Sequence, residues 1–289
     1  MSLTRKNALK LMAASATSLG LFKMAPKSSS GLSVGKSLKG NINHAVCRWT
    51  FSRFSLEEVC QKSKEIGIKG IDLLNPDEFA TAKKYGLECS MSNGPGSIEK
   101  GLNRVENHAE LTDGFKRMIP LVAEAGFRNI ICFSGNKDGL DDDEGIKNCA
   151  VGIKEFISVA EKHDVVVSME VLNTKVNHKD YHANNVPWTA KIADEVGSDY
   201  FKILFDIYHM QVDNGNIMQT IRDYKDYISH YHTAGVPGRN EIDDSQELNY
   251  PTIMKTILDT GFDGWVAQEF IPLRDPWKSL QEAVLICDV

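Results

Sequence analysis

From residue 41 onward one phrase recurs: a helix with a polar face, a Gly near its end, then a short apolar run rich in β-branched residues. It appears as "EIGIKGIDLL", "KYGLECSMS", "EAGFRNIICFSG", "EVGSDYFKILFD" and "DTGFDGWVAQEF", while "EKHDVVVSMEVLN" carries His-Asp where the Gly would stand. A Gly just past a helix supplies its left-handed cap. Apolar runs without alternation suit strands buried on both faces, as in a parallel sheet. Helix starts agree. Ser55 and Glu58 in "FSLEEV" predict a capping box ahead of a helix to about Ile66, and Pro251 suits the first turn of a helix that Gly261 ends. Strands are predicted near 42–47, 70–74, 87–91, 129–133, 165–170, 202–206, 228–233 and 264–270. Helical patterns separate most of them, which predicts an α/β fold, a (β/α)8 barrel in a single domain over residues 41–289. A doubly wound open sheet is the alternative. It would want a G-x-G-x-x-G turn after an early strand, which is missing, and "SNGPGS" at 92–97 reads as a loop after the third strand.

Before residue 41 the pattern breaks. Arg5, Lys6 and Lys10 precede a weakly apolar stretch from Leu11 to Phe22, the layout of a secretory signal. "TRKNALK" resembles a twin-arginine signal, with Lys6 for the second arginine and Ala8 for the usual Phe, although no clean A-x-A cleavage site follows. The expectation is export to the periplasm, with a cytoplasmic location as the alternative. The apolar part is too short for a stable membrane span. "APKSSSGLSVGKSLKG", residues 25–40, reads as a flexible linker, so residues 1–40 form a leader and linker ahead of the barrel.

Composition narrows the function. With 42% hydrophobic and 25% charged residues the chain is ordinary globular material. A net charge of -6 and the lack of a dense basic run weigh against a nucleic-acid partner. None of the six cysteines forms a C-x-x-C pair, which excludes zinc-ribbon and thioredoxin readings and leaves them as buried small hydrophobes.

Barrel enzymes carry their chemistry at the C-terminal ends of the strands. The predicted strands five to eight end "VVVSMEVLN", "KILFD", "SHYHTAG" and "WVAQEF", which deliver Glu170, Asp206, His232 and Glu269 to one face. A lone carboxylate at a strand end is more often a helix cap. Four successive strands that each present a ligand-type side chain point instead to a divalent metal, because three clustered carboxylates repel without a cation. Oxygen-rich ligands with one imidazole favour Mn or Mg, with Zn or Co as alternatives.

These residues carry a resemblance to the xylose-isomerase-like sugar isomerase/epimerase superfamily, and within it to the hydroxypyruvate isomerase family, over about residues 41–275. The most specific stretch is "HTAGVPGRNEIDDSQELNYP", 232–251, which resembles the family's A-G-x-P-x-R-x-E block followed by E-x-N-Y-P; "DIYHMQ" and "AQEF" match its sixth and eighth strands. The resemblance implies that Glu170, Asp206, His232 and Glu269 bind the metal and that the two glutamates are the acid/base pair. The chain departs from the pattern at the third ligand, His232, where hydroxypyruvate isomerases can carry Gln and ketose epimerases carry His.

The implied chemistry is proton transfer next to a metal-polarised carbonyl, through an enediolate. Return of the proton to the adjacent carbon isomerises; return to the same carbon from the other face epimerises. The expected substrate is a small α-hydroxy carbonyl compound, hydroxypyruvate first and a ketose second. His209 is expected to donate to a substrate oxygen, Arg239 to pair with a substrate carboxylate, or alternatively with Glu241 or Asp243, and Asn173 and Lys175 to reach hydroxyls. Rival readings are a multi-zinc apurinic-site endonuclease, which needs more ligands and a basic groove, a non-catalytic sugar-binding module, and a dehydratase of a cyclic polyol ketone. A homo-oligomer is compatible with the sequence.

Overall fold

Parallel pairing runs from the first strand to the last and back to the first in a computed structural model that describes residues 37–289. The strands are β1 (Asn43–Cys47), β2 (Gly70–Leu74), β3 (Glu88–Ser92), β4 (Asn129–Cys132), β5 (Val166–Glu170), β6 (Phe201–Asp206), β7 (Ile228–Thr233) and β8 (Trp265–Gln268). Their order around the sheet is their order in the chain, and β1 closes it on β8 with Asn43 opposite Trp265 and Val46 opposite Gln268. Each strand lies within two residues of its predicted span. The largest difference is at the end of β8, which stops at Gln268 and leaves Glu269 one residue beyond, still tied to β7 by its N–H on the Thr233 carbonyl at 2.8 Å. The fold is a (β/α)8 barrel. The predicted leader and most of the linker lie outside the described residues.

The local signals act as expected, except that only the Ser55 half of the capping box forms. The Ser55 hydroxyl accepts from Glu58 N at 3.1 Å to start the helix Leu56–Ile66, and Pro251 lies in the first turn of the helix Tyr250–Asp259. Gly67, Gly86, Gly126, Gly197 and Gly261 all adopt positive φ past their helices. Asp164, in the phrase that lacks the glycine, does so as well at φ 55, a conformation that a short polar side chain tolerates.

Alternate positions of each strand face two different interiors. Val46, Ile71, Ile130, Val167, Ile203 and Tyr231 join the large apolar core between strands and helices. Ala45, Cys47 and Ala267 form a small cluster inside the barrel, and Met91, Ile131 and Leu204 form another. The bottom is closed by Trp265, whose ring fits because Gly70 has no Cβ, which would stand 2.8 Å from it. The six cysteines are buried and unbonded to one another. Among the described residues no helix is long and apolar enough to cross a membrane.

Candidate active site

The four strand ends do meet. One ligand atom from each of Glu170, Asp206, His232 and Glu269 lies within 4.8 Å of the other three, and all four side chains are buried. Ligands about 2.0–2.5 Å from one ion can be no more than about 4–5 Å apart, so the spacing suits a shared cation. His232 enters through Nδ1, which lies 3.0 Å from Glu170 Oε1, 3.1 Å from Glu269 Oε2 and 4.0 Å from Asp206 Oδ2.

Asp206 is both a helix cap and a member of this cluster. Its Oδ1 accepts from His209 N at 2.8 Å at the start of the helix Ile207–Asp213, and Oδ2 turns to the cluster. One carboxylate thus serves both readings of a strand-end acid, one oxygen each.

The charge balance of the cluster suits a cation. Desolvation raises the Glu170 pKa, and it raises that of Asp206 well above the usual carboxylate range with help from the Glu269 charge. Desolvation also opposes the charge on Glu269, but Arg239 and His232 outweigh it and hold that carboxyl well below its ordinary value. For His232 burial lowers the pKa, and the Glu269 charge together with Cys47 and the Asp72 hydrogen bond more than reverses this, so the ring is driven toward its charged form. Two carboxyls pushed toward their neutral forms and an imidazole pushed toward its charged form mark a place where negative charge is costly, which a divalent cation relieves. Three carboxylate oxygens and one imidazole nitrogen are a donor set that a divalent ion of the Mn or Mg type matches.

Arg239 reaches the cluster from the loop after β7, where its backbone is left-handed at φ 59. Its Nη2 pairs with Glu269 Oε2 and lies 3.8 Å from Asp206 Oδ2. The guanidinium also sits over two rings, 5.1 Å from Trp49 and 5.6 Å from Tyr208. The alternative partners are occupied elsewhere: Arg274 lies 2.9 Å from Asp243 and 3.7 Å from Glu241. His209 is fully buried. Its Nδ1 accepts from Asn173 N at 3.0 Å and lies 2.7 Å from Asn173 Nδ2. The proton therefore belongs on Nε2, which has no protein partner and lies 3.8 Å from Asp206 Oδ2. Desolvation, then the Arg239 charge, keep this ring neutral.

Two of the expected substrate-contacting residues are engaged within the chain. The Asn173 Oδ1 accepts from Val176 N and Asn177 N, and its Nδ2 is used on Asn177 and His209. Lys175 Nζ donates to the carbonyls of Val212 and Asp213, on the exposed end of a helix. The cause is Asp213, whose carboxylate accepts from Thr174 N and Lys175 N and pulls this loop onto the helix end.

Two residues without an assigned role in the sequence stand in or beside the site. Trp49, in the 3-10 turn Arg48–Phe51 after β1, donates Nε1–H to Glu269 Oε1 at 2.7 Å. Asp72, in the middle of β2, lies beneath the site with Oδ2 2.8 Å from His232 Nε2 and Oδ1 3.0 Å from His230 Nε2. Its signal was legible in "KGIDLL": an acid in a run otherwise reading as buried on both faces. Trp49 gave no signal, since a tryptophan beside a predicted strand end is ordinary.

A family profile described as xylose isomerase-like TIM barrel matches residues 60–285. The chain is 34% identical over 220 residues to the 2-oxo-tetronate isomerase of Cupriavidus necator, covering 71% of this chain and 83% of that one. It is 26% identical over 227 residues to the hydroxypyruvate isomerase of Escherichia coli, covering 73% and 86%. Among solved structures it is similar to an AP endonuclease, family 2, from Brucella melitensis, with a TM-score of 0.77 and 23% identity over 83% of this chain and 96% of that one, a likeness of fold alone. The relatives named as isomerases make this chain an enzyme of the isomerase class. By the profile match over most of its length, the chain belongs to the xylose isomerase-like TIM barrel family.

Proposed function

We propose that this enzyme is a divalent-metal-dependent isomerase of a small α-hydroxy carbonyl acid and interconverts hydroxypyruvate and tartronate semialdehyde. The observation that carries the reading is the convergence of Glu170, Asp206, His232 and Glu269 within 4.8 Å, with the Arg239 guanidinium beside them. The Escherichia coli relative, named hydroxypyruvate isomerase, supports the substrate class.

Glu170, Asp206, His232 Nδ1 and Glu269 would hold the metal, Mn or Mg. When bound, the metal polarises the substrate carbonyl and acidifies the neighbouring C–H. The chain's own groups do the rest. Arg239 offers a planar fork to the substrate carboxylate, and its place over the rings of Trp49 and Tyr208 limits where that fork can go. His209 Nε2–H is a buried donor aimed at the cluster and suits a substrate oxygen. A glutamate takes the proton from the hydroxyl-bearing carbon to give an enediolate, and a proton is returned to the adjacent carbon while the hydroxyl proton passes to the other oxygen.

A ketose 3-epimerase is the second reading. It is favoured by the imidazole of His232 at the third ligand position and by two glutamates at one cluster, which allow a proton to leave one face and return on the other. The test is incubation in deuterium oxide with Mn(II), removal of the metal, and NMR of the recovered substrate. Deuterium at the hydroxyl-bearing carbon of hydroxypyruvate, with tartronate semialdehyde appearing, supports the first reading. Exchange confined to C3 of a neutral ketose moves the assignment to the second, and no exchange with either class sinks both.

A further inference from the structure

Asp72 is a fully buried carboxylate inside the barrel, one layer below the four-ligand cluster. Its contacts are all with side chains. Oδ1 accepts from Ser90 Oγ, Oδ2 lies 2.8 Å from His232 Nε2, and the Cys47 thiol lies 3.6 Å from Oδ2. His230 Nε2 adds a contact at 3.0 Å to Oδ1. Neighbours on both oxygens fix the plane of this carboxylate. The ring of His232 lies between two sets of acceptors: Asp72 on the Nε2 side, Glu170 and Glu269 on the Nδ1 side.

An imidazole that ligates a metal through one nitrogen must carry its proton on the other, and which nitrogen is free depends on what accepts that proton. We infer that Asp72 is a positioning residue: it accepts the Nε2 proton of His232 and so aims the Nδ1 lone pair at the metal position formed by Glu170, Asp206 and Glu269. The inference rests on the metal reading of that cluster and adds to it a residue that touches neither metal nor substrate. Asp72 comes from β2, six strands before the last ligand strand, so it couples the near side of the barrel interior to the site. Ser90, on β3, holds the far oxygen and has no contact of its own with His232.

The experiment uses the full chain and reads Mn(II) affinity by calorimetry, with Asp72→Asn, Asp72→Ala and Ser90→Ala beside the wild type. Circular dichroism confirms that each variant is folded. Asp72→Asn is close to isosteric and tests the inference even if Asp72→Ala does not fold. Loss of an outer carboxylate of this kind typically weakens metal affinity by about 10–100-fold, and that is the expected result for Asp72→Asn, with Ser90→Ala within about threefold of wild type by the same argument. A second readout is nitrogen-15 NMR of the Zn(II)-loaded wild type, where His232 should carry its proton on Nε2 and bind through Nδ1. Wild-type affinity in the folded Asp72 variants, or a ring metallated through Nε2, overturns the inference while the metal site stands. A wild-type chain that binds no divalent ion overturns the site reading and this inference together.

Discussion

Trp49 and Glu269 meet across the seam where β1 closes on β8. The indole N–H donates to Oε1 at 2.7 Å, Arg239 donates to Oε2, and the guanidinium lies 5.1 Å from the same indole ring. The three side chains hold one another, so the carboxylate that is expected to handle the proton has its orientation set from both oxygens. Trp49→Phe keeps a ring under Arg239 and removes the N–H. The ring is two-fifths exposed, so water can replace part of the lost bond. The expected cost is about 1.5 kcal/mol, the low end for a hydrogen bond to a charged group, or roughly tenfold in kcat/KM. Steady-state kinetics with the deuterium-exchange assay check this, and an unchanged rate would show that the indole does not orient Glu269.

The barrel was legible because its signals are local and repeated. A Gly-capped helix followed by an apolar run, met again and again, leaves few folds to choose from, and Asp164 shows that even the departure from the phrase kept its geometry. The convergence of Glu170, Asp206, His232 and Glu269 was legible because strand order places successive strand ends side by side. Partners of long side chains were not. Nothing in "NTKVN" says that Asp213, far along the chain, takes two backbone N–H groups of this loop and turns Lys175 away. Arg239 had nearby acids at 241 and 243, yet Arg274 occupies those, and the arginine crosses to Glu269. Such choices depend on which distant loop arrives, and periodicity carries no record of that.

Lys175→Ala follows from this placement. The ammonium donates to the carbonyls of Val212 and Asp213 at the C-terminal end of a seven-residue helix. A cation there stabilises the helix end by about 0.3–1 kcal/mol when exposed. The variant should lose no more than that in stability by denaturant melts and keep KM for any substrate within about twofold, because the ammonium is held by the helix-end carbonyls of Val212 and Asp213. A tenfold rise in KM would return Lys175 to the substrate.

His44 supplies a pH dependence away from the active site. Burial dominates its environment, and although Asp288 at 3.8 Å pulls the other way, its pKa is lowered to about 4. Neither ring nitrogen has a hydrogen-bond partner. In the unfolded chain the same ring titrates at its ordinary value near 6.5. Between these two values the unfolded state binds the proton and the folded state does not, so stability falls as pH drops from about 6.5 toward 4. The contribution lost is about 3 kcal/mol at the acid end, and above pH 7 the group is silent. Urea melts of the wild type and His44→Gln at pH 7.5 and 5 measure it. The slope with pH should be smaller in the variant, and equal slopes would place the acid sensitivity elsewhere.

Arg239→Ala separates the two substrate classes. The guanidinium is mostly buried, held between two rings and paired to Glu269, and it stands within 3.8 Å of Asp206. Its removal must therefore do two things. It takes the Arg239 donor and its charge away from Glu269 Oε2, which raises that carboxyl and slows any substrate alike. It also removes the only fork beside the cluster, among the described residues, that could meet a substrate carboxylate in two parallel hydrogen bonds. The second effect applies to hydroxypyruvate and not to a neutral ketose. A lost charge-assisted contact is worth about 1.5–3 kcal/mol, so the fall in kcat/KM on hydroxypyruvate should exceed the fall on the ketose by about 10–150-fold. The ratio of the two losses is the quantity to measure, because the common loss through Glu269 cancels in it. A ratio near one, with both activities reduced, would leave Arg239 as a partner of Glu269 alone and shift the substrate assignment to the neutral sugar.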